Sequence, residues 1–236
     1  MNGKLFLIPT VVAEGTETSV LPPVIPTTIQ RLQYFLCENA RTARRFVSHL
    51  GVHPHLESLH FAVLNKDTTA QEIAALLKPL KDGQDMGLLS ESGCPAIADP
   101  GAMAVEYAHQ HQITVVPLPG PSSLLLALMA SGLNGQRFAF HGYLPIDSKE
   151  ISQVIRMLER ESREKNQTQL FIETPYRNNK MVSHLLESLG PETRLCIAAN
   201  LTAPDEHIAC RTVREWKKQV PAMGKVPVTF LFLAAR

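Results

Sequence analysis

Short apolar runs of strand length alternate with helical stretches along the first half of the chain. The runs are Leu5–Ile8, Tyr34–Cys37, residues 61–64, Met86–Leu89 and residues 113–116. Between them, residues 40–50 and 69–80 carry apolar side chains at helical spacing, and Thr69 with Glu72 forms a capping-box signature at the start of the second. Residues 102–111 read as a further helix. Residues 20–29 hold Pro22, Pro23 and Pro26, which predicts a loop running into a helix start. Apolar strands alternating with helices at this pitch predict a mostly parallel sheet covered on both faces.

The run Pro117-Leu118-Pro119-Gly120-Pro121 can continue neither a helix nor a central strand, so it marks a boundary between residues 1–117 and 118–236. Ser122 or Ser123 then caps a helix through residues 124–130, ended near Gly132. The second half predicts strands at 138–141, 169–172, 195–199, 208–212 and 228–233. Helices over 148–163, 178–189 and about 213–218 separate them. The run Val228–Leu233 has the uniform apolarity of a central strand. The fold class expected is α/β: two α/β/α domains, the first with a mostly parallel sheet and the second with a mixed one.

Composition narrows the function classes. With 44% hydrophobic and 19% charged residues and a net charge of +1, the 236-residue chain has no strongly basic field. A near-neutral total can still hide a local patch. Cys37, Cys94, Cys196 and Cys210 form no C-x-x-C pair and are expected as buried free thiols. The nine histidines show no H-E-x-x-H spacing, so no metal is expected. The apolar part of the N-terminus is too short for a signal peptide and no run reaches membrane-spanning length, so a reducing, cytoplasmic location is expected, away from membranes.

The stretch Leu-Ser-Glu-Ser-Gly-Cys-Pro-Ala-Ile-Ala-Asp-Pro-Gly, residues 89–101, follows one strand and precedes a helix. Small residues, two prolines and two glycines describe a rigid loop whose backbone can approach a ligand. In an open α/β sheet, ligands bind there, outside the carboxyl ends of the strands. Within it, Asp99 is expected to cap the following helix and Cys94 to be a packing residue.

This block, followed by Val116-Pro117-Leu118-Pro119-Gly120-Pro121-Ser122, resembles the tetrapyrrole methylase superfamily, and within it the small-subunit ribosomal RNA (cytidine-2′-O)-methyltransferases. The likeness continues through Glu38-Asn39-Ala40-Arg41-Thr42-Ala43-Arg44-Arg45, through Arg137-Phe138-Ala139-Phe140-His141-Gly142-Tyr143-Leu144-Pro145, and through Glu173-Thr174-Pro175-Tyr176-Arg177. It implies a two-domain methyltransferase with S-adenosylmethionine in a cleft between the domains, a homodimer, and ribosomal RNA or the small ribosomal subunit as partner. By position, it implies cofactor contacts from Pro9, Ser90, Ser92, Gly93, Pro95, Ile97, Ser122, Ser123, Tyr176, Asn200, Leu201, Pro227 and Val228. The family's Glu-Asp pair is Glu38-Asn39 here, its Glu-Leu-Thr-Lys segment is Asn200-Leu201-Thr202-Ala203, and the chain is expected to stop at the last strand without the family's further C-terminal region. These departures fall where RNA or the reacting hydroxyl would sit. They keep two other readings open: methylation of a tetrapyrrole precursor or another small molecule, and a binding module that holds the cofactor without transfer.

Methyl transfer needs alignment of nucleophile, methyl and sulfur, and a ribose hydroxyl also needs a base. Glu38, at the end of a strand, is the candidate base, with a helix N-terminal acid as the structural alternative. Arg41, Arg44 and Arg45 share one helix face and are candidates to meet phosphate or to form a solvated basic face; Arg41 and Arg44, with Arg177, are the substrate candidates. His141 reads as a hydrogen-bonded structural histidine.

Overall fold

The computed structural model describes residues 2–235, which divide into two compact units, residues 1–122 and 123–236. The division falls just after the proline cluster, beyond the 117/118 boundary expected from sequence.

In chain order the first unit contains β1 (Leu5–Ile8), α1 (Glu17–Val20), α2 (Val24–Gln30), β2 (Tyr34–Cys37), α3 (Ala40–His49), β3 (His60–Val63), α4 (Ala70–Leu76), α5 (Lys78–Lys81), β4 (Met86–Leu89), α6 (Ala102–Gln110) and β5 (Val115–Pro117). The strands form one wholly parallel sheet in the order β3-β2-β4-β1-β5. Alternate side chains feed two cores. Leu5, Leu36, Met86 and Leu88 pack with α4 and α6, while Phe6, Ile8, Phe35, Cys37 and Leu89 pack with α2 and α3. Burial on both faces is why the three inner strands β1, β2 and β4 read as unbroken apolar runs, while the edge strands β3 and β5 are partly exposed.

Two helical stretches differ from expectation, and proline explains both. Residues 69–80 form two helices rather than one, because Pro79 offers no N–H to the carbonyl four residues back and restricts Lys78. The capping box of Thr69 with Glu72 is present. Residues 20–29 are more helical than expected. Pro23 occupies the N-cap of α2 and Pro26 its first turn, where an N–H has no intrahelical partner to lose.

The second unit contains α7 (Ser123–Ser131), β6 (Phe138–Tyr143), α8 (Ser148–Lys165), β7 (Thr168–Glu173), α9 (Asn178–Ser188), β8 (Arg194–Ala199), β9 (His207–Thr212), α10 (Val213–Lys218) and β10 (Val228–Leu233). Its mixed sheet has the order β6-β7-β10-β8-β9, with β6 and β7 parallel and the remaining pairs antiparallel. β10 is central and buried along its whole length. Phe171, Phe230, Phe232, Leu195 and Ile197 pack under α8, α9 and α10. α7 lies against β9 and β10.

Candidate active site

The first unit's sheet creates its own crevice. After β1 the chain moves toward β2, and after β4 it moves the opposite way toward β5, although β1 and β4 are neighbours. Such a reversal opens a ligand-sized gap outside the strands' carboxyl ends. The loops at that edge are tied together. Thr10 N donates to Gly93 O at 2.9 Å, and the Cys94 thiol donates to Pro121 O at 3.4 Å. A Cβ on Gly120 would fall 2.3 Å from the Cβ of Pro9, so only glycine permits this approach. Gly93, Ala96 and Ala98 all have positive φ. For the two alanines this costs about 1–2 kcal/mol each, strain of a kind that collects at ligand sites.

Pro9, Pro95 and Ile97 line a cavity of about 870 Å³ with Leu7, Cys94 and Leu118. Val105, Glu106 and His109 of α6 form its far wall, and no lysine or arginine lines it. The Thr10 hydroxyl, at the same edge, is buried without a hydrogen-bond partner among the described residues. An apolar recess with no competing cation suits a nucleoside bearing a sulfonium.

Three carboxylates gather beside this loop. β2 and β4 are in parallel register, Cys37 beside Leu89, so Glu38 and Glu91 leave adjacent strand ends. Burial raises the Glu38 pKa above the ordinary carboxylate range, and the charges of Asp99 and then Glu91 raise it further. Glu91 is raised by burial and by Asp99, against a lowering influence from Arg45. Asp99 is raised by burial, opposed by the hydrogen bond from Ser90. Asp99 does not cap α6 as expected. Gly101 holds the N-cap position without a side-chain bond, because the Asp99 carboxylate is turned back onto the Ser90 hydroxyl. Sequence reading missed the grouping, although two acids just past strands of a parallel sheet are a legible signal.

The helix after Glu38 is capped by Asn39, whose Oδ1 accepts from Arg41 N at 2.9 Å and Thr42 N at 3.3 Å. Asparagine and aspartate cap about equally well, so the capping here does not require an aspartate at position 39. Arg44 stacks over Phe61, 4.8 Å from the ring centroid, and Arg45 pairs with Glu14 at 2.5 Å. Only Arg41 of the three projects without such a partner among the described residues, so the basic face expected from spacing is largely spent within the unit. Ser92 and Ile97 are exposed, and Ser122 is buried.

The second unit gathers its own candidates at one sheet edge. β7 and β8 end beside the start of β10, with Val228 opposite both Glu173 and Ala199. Asn200 N donates to Pro227 O at 3.0 Å, which joins the Asn200-Leu201 and Pro227-Val228 segments. Asn200 adopts φ of 50°, tolerable for asparagine, and its Nδ2 donates to Asp205 at 2.7 Å. Tyr176 is 74% exposed at the same edge, and Ser123 begins α7. Arg177 departs from expectation. Its Nη2 lies 2.9 Å from the buried Glu173 Oε2, whose charge needs a partner, so the guanidinium is committed within its own unit rather than to an anionic substrate. His141 bonds Gln169 at 2.6 Å, as a structural histidine should.

Cys196 and Cys210 stand directly opposite on β8 and β9, so their thiols are cross-strand neighbours. Nothing in their spacing signals this until the two strands are read as a hairpin centred near residue 203. Among the described residues, no helix is long and apolar enough to cross a membrane.

Comparison with known proteins identifies the family. The chain is 30% identical over 221 residues to Ribosomal RNA small subunit methyltransferase I of Escherichia coli O157:H7, covering 92% of this chain and 73% of that protein. Among solved structures, it resembles the methyltransferase CobJ with a TM-score of 0.64 at 17% identity, over 99% of this chain and 95% of that one. It also resembles Uroporphyrin-III C-methyl transferase from Thermus thermophilus complexed with S-adenyl homocysteine, with a TM-score of 0.60 at 16% identity over 98% and 97% of the two chains. At those identities the solved structures establish the fold alone. Residues 25–216 match the Tetrapyrrole (Corrin/Porphyrin) Methylases family. The chain therefore belongs to the tetrapyrrole methylase family, a family of S-adenosylmethionine-dependent methyltransferases.

Proposed function

We propose that this methyltransferase modifies a ribose hydroxyl of small-subunit ribosomal RNA. The observation that carries the substrate is the likeness to Ribosomal RNA small subunit methyltransferase I across 92% of the chain. The resemblance of Glu38–Arg45 to the ribose-methylating members carries the accepting atom.

When bound, S-adenosylmethionine supplies an electrophilic methyl on a sulfonium. Pro9, Pro95, Ile97 and the backbone from Ser90 to Gly93 hold it at the first unit's crevice. The resemblance gives the same role to Ser122, Ser123, Tyr176, Asn200-Leu201 and Pro227-Val228. The packed loops exclude water and fix the line of attack. Glu38 is the general base: with the cofactor bound, one of its carboxylate oxygens would take the proton of the ribose hydroxyl as that oxygen accepts the methyl and the demethylated cofactor leaves as a neutral thioether. A carboxylate whose pKa is raised by burial, Asp99 and Glu91 is a stronger base than an exposed one. Arg41 is the remaining phosphate contact on α3.

By the same family resemblance the enzyme is a homodimer, and its four free cysteines fit a reducing, cytoplasmic compartment. Sedimentation of the purified chain checks the dimer. The decisive assay incubates the protein with methyl-labelled S-adenosylmethionine and small ribosomal subunits from a deletion strain. Label in ribosomal RNA that protects one phosphodiester from alkaline cleavage is expected; label on a base, or none at any assembly stage, overturns the reading.

A further inference from the structure

We propose that a basic stripe on α8 docks the phosphate backbone of the RNA, an inference that rests on ribosomal RNA being the substrate. α8 has 18 residues and so a length of about 27 Å. Lys149, Arg156, Arg160 and Arg163 follow one another at steps of seven, four and three, which keeps them in one line along the helix. All four are exposed, and the only other residue in the line is Gln153. The opposite face buries Ile151, Ile155 and Leu158 in the core of the second unit, which fixes the stripe outward.

Ordinary helix electrostatics do not account for these charges. The macrodipole favours cations in the last turn, which explains Arg163, whose Nε also donates to Ala235 O at 3.1 Å. It disfavours Lys149 in the first turn and offers nothing to Arg156 or Arg160 in the middle. Acid partners are also missing. Glu159, three residues from Arg156, points inward, where it accepts from Gly190 N at 2.7 Å and from the Thr193 hydroxyl. Glu164 stands four residues beyond Arg160, but no ion pair joins them among the described residues. The one ion pair of α8 among the described residues, between Lys165 and Glu161, lies off the stripe.

Arg156 and Arg160 therefore repel each other at i,i+4, and Arg160 repels Arg163 at i,i+3, each at a cost of a few tenths of a kcal/mol. A polyanion removes that cost. Three of the four side chains are guanidinium forks, which match phosphate oxygens bidentately. The stripe contains no apolar position, which argues against insertion into a lipid surface. With a net charge of only +1 for the chain, the positive potential is local, as a docking track requires.

The test compares the wild type with R156Q/R160Q and R156K/R160K. It measures affinity for small-subunit ribosomal RNA across a salt series, methyl transfer to small subunits, and affinity for S-adenosylhomocysteine as the control for folding. With R156Q/R160Q we expect RNA affinity to fall about tenfold or more. The slope of log K against log salt should shrink by about 1.4 to 1.8, two phosphate contacts at 0.7–0.9 each. Homocysteine-product affinity should stay unchanged, and R156K/R160K should restore the slope. Unchanged RNA affinity and slope in R156Q/R160Q, with the wild type still methylating RNA, overturns the stripe and leaves the substrate reading intact. Loss of RNA binding in R156Q/R160Q where the wild type binds RNA but does not methylate it supports the stripe and overturns the substrate reading. A wild type that binds no RNA, or that binds vesicles of anionic lipid as tightly as RNA, overturns the docking proposal.

Discussion

Ser90 donates its hydroxyl hydrogen bond to the carboxylate of Asp99, nine residues along the same loop. The bond closes the loop on itself beside Glu38 and Glu91, and it is the one influence that pulls the Asp99 pKa down against burial. Replacing Ser90 with alanine should destabilise the protein by about 1.5–3 kcal/mol, the range for a hydrogen bond to a charged group. It should also raise the Asp99 pKa further. Urea denaturation of S90A and carboxyl titration by NMR check both.

Stability should carry the signature of this cluster. A carboxyl group whose folded pKa lies above its unfolded value binds protons more tightly when folded. Its contribution is then largest at low pH and is lost as pH rises from the unfolded pKa through the folded one. Asp99 is such a group. The side-chain amide introduced by D99N still accepts from Ser90 but cannot ionise. D99N should therefore gain stability relative to wild type as pH climbs through and above the ordinary carboxylate range. A stability difference between the two that does not change with pH would show Asp99 to be unperturbed.

The reaction should report the same charges. If Glu38 takes the proton, kcat rises with pH as Glu38 ionises, with an apparent pKa above that of an ordinary glutamate. Removing a neighbouring negative charge lowers that pKa, so D99N and E91Q should each move the acid limb to lower pH, D99N the more. E38Q should cut kcat by about 10²–10⁴ while leaving S-adenosylhomocysteine affinity unchanged. Single-turnover methylation across pH separates these effects from product release.

The inner strands of both sheets were legible because strands buried on both faces write themselves as continuous apolar runs. Tyr34–Cys37, Met86–Leu89 and Val228–Leu233 are found as read. The helix break at Pro79 was carried by a single residue inside an otherwise periodic pattern, and that pattern outweighed it. At the site, the loop after β4 could be read from its small residues. The partnership of Glu38 with Asp99 could not, because it depends on how the chain folds back between Ala96 and Ala98, both left-handed, and no alanine announces that conformation. Arg44 and Arg177 misled for a shared reason: spacing shows where a cation sits and not which ring or carboxylate already holds it.

Cys210 should be the more reactive thiol of the pair on β8 and β9. The adjacent Cys196 thiol lowers its pKa most, and the charge of Arg194 lowers it further against burial. Cys196 is pushed the other way, by the adjacent Cys210 thiol and by burial. Under limiting iodoacetamide, peptide mapping should find Cys210 alkylated ahead of Cys196. C196A removes that neighbouring thiol, so the pH at which Cys210 alkylation reaches half its maximum should rise. Faster labelling of Cys210 in C196A would contradict this assignment.

Arg177 offers the sharpest contrast between a substrate contact and a structural one. Glu173 Oε1 is satisfied by Thr174, whose N donates at 2.7 Å and whose hydroxyl donates at 3.2 Å. Oε2 has Arg177 at 2.9 Å, and the Glu173 side chain is 1% exposed. R177M would leave that oxygen's charge buried without compensation. The cost should be about 3 kcal/mol, the low end for a broken buried pair because Arg177 itself keeps some contact with water. The double variant E173Q/R177M removes the charge as well as its partner and should recover most of the loss, giving a coupling energy of about 2 kcal/mol or more in a double-mutant cycle. A substrate arginine behaves differently. R177M would then raise KM for RNA with stability untouched, and E173Q would not rescue it. Denaturation curves and methylation kinetics on the same three variants distinguish the two roles, and the buried carboxylate makes the structural role the expected one.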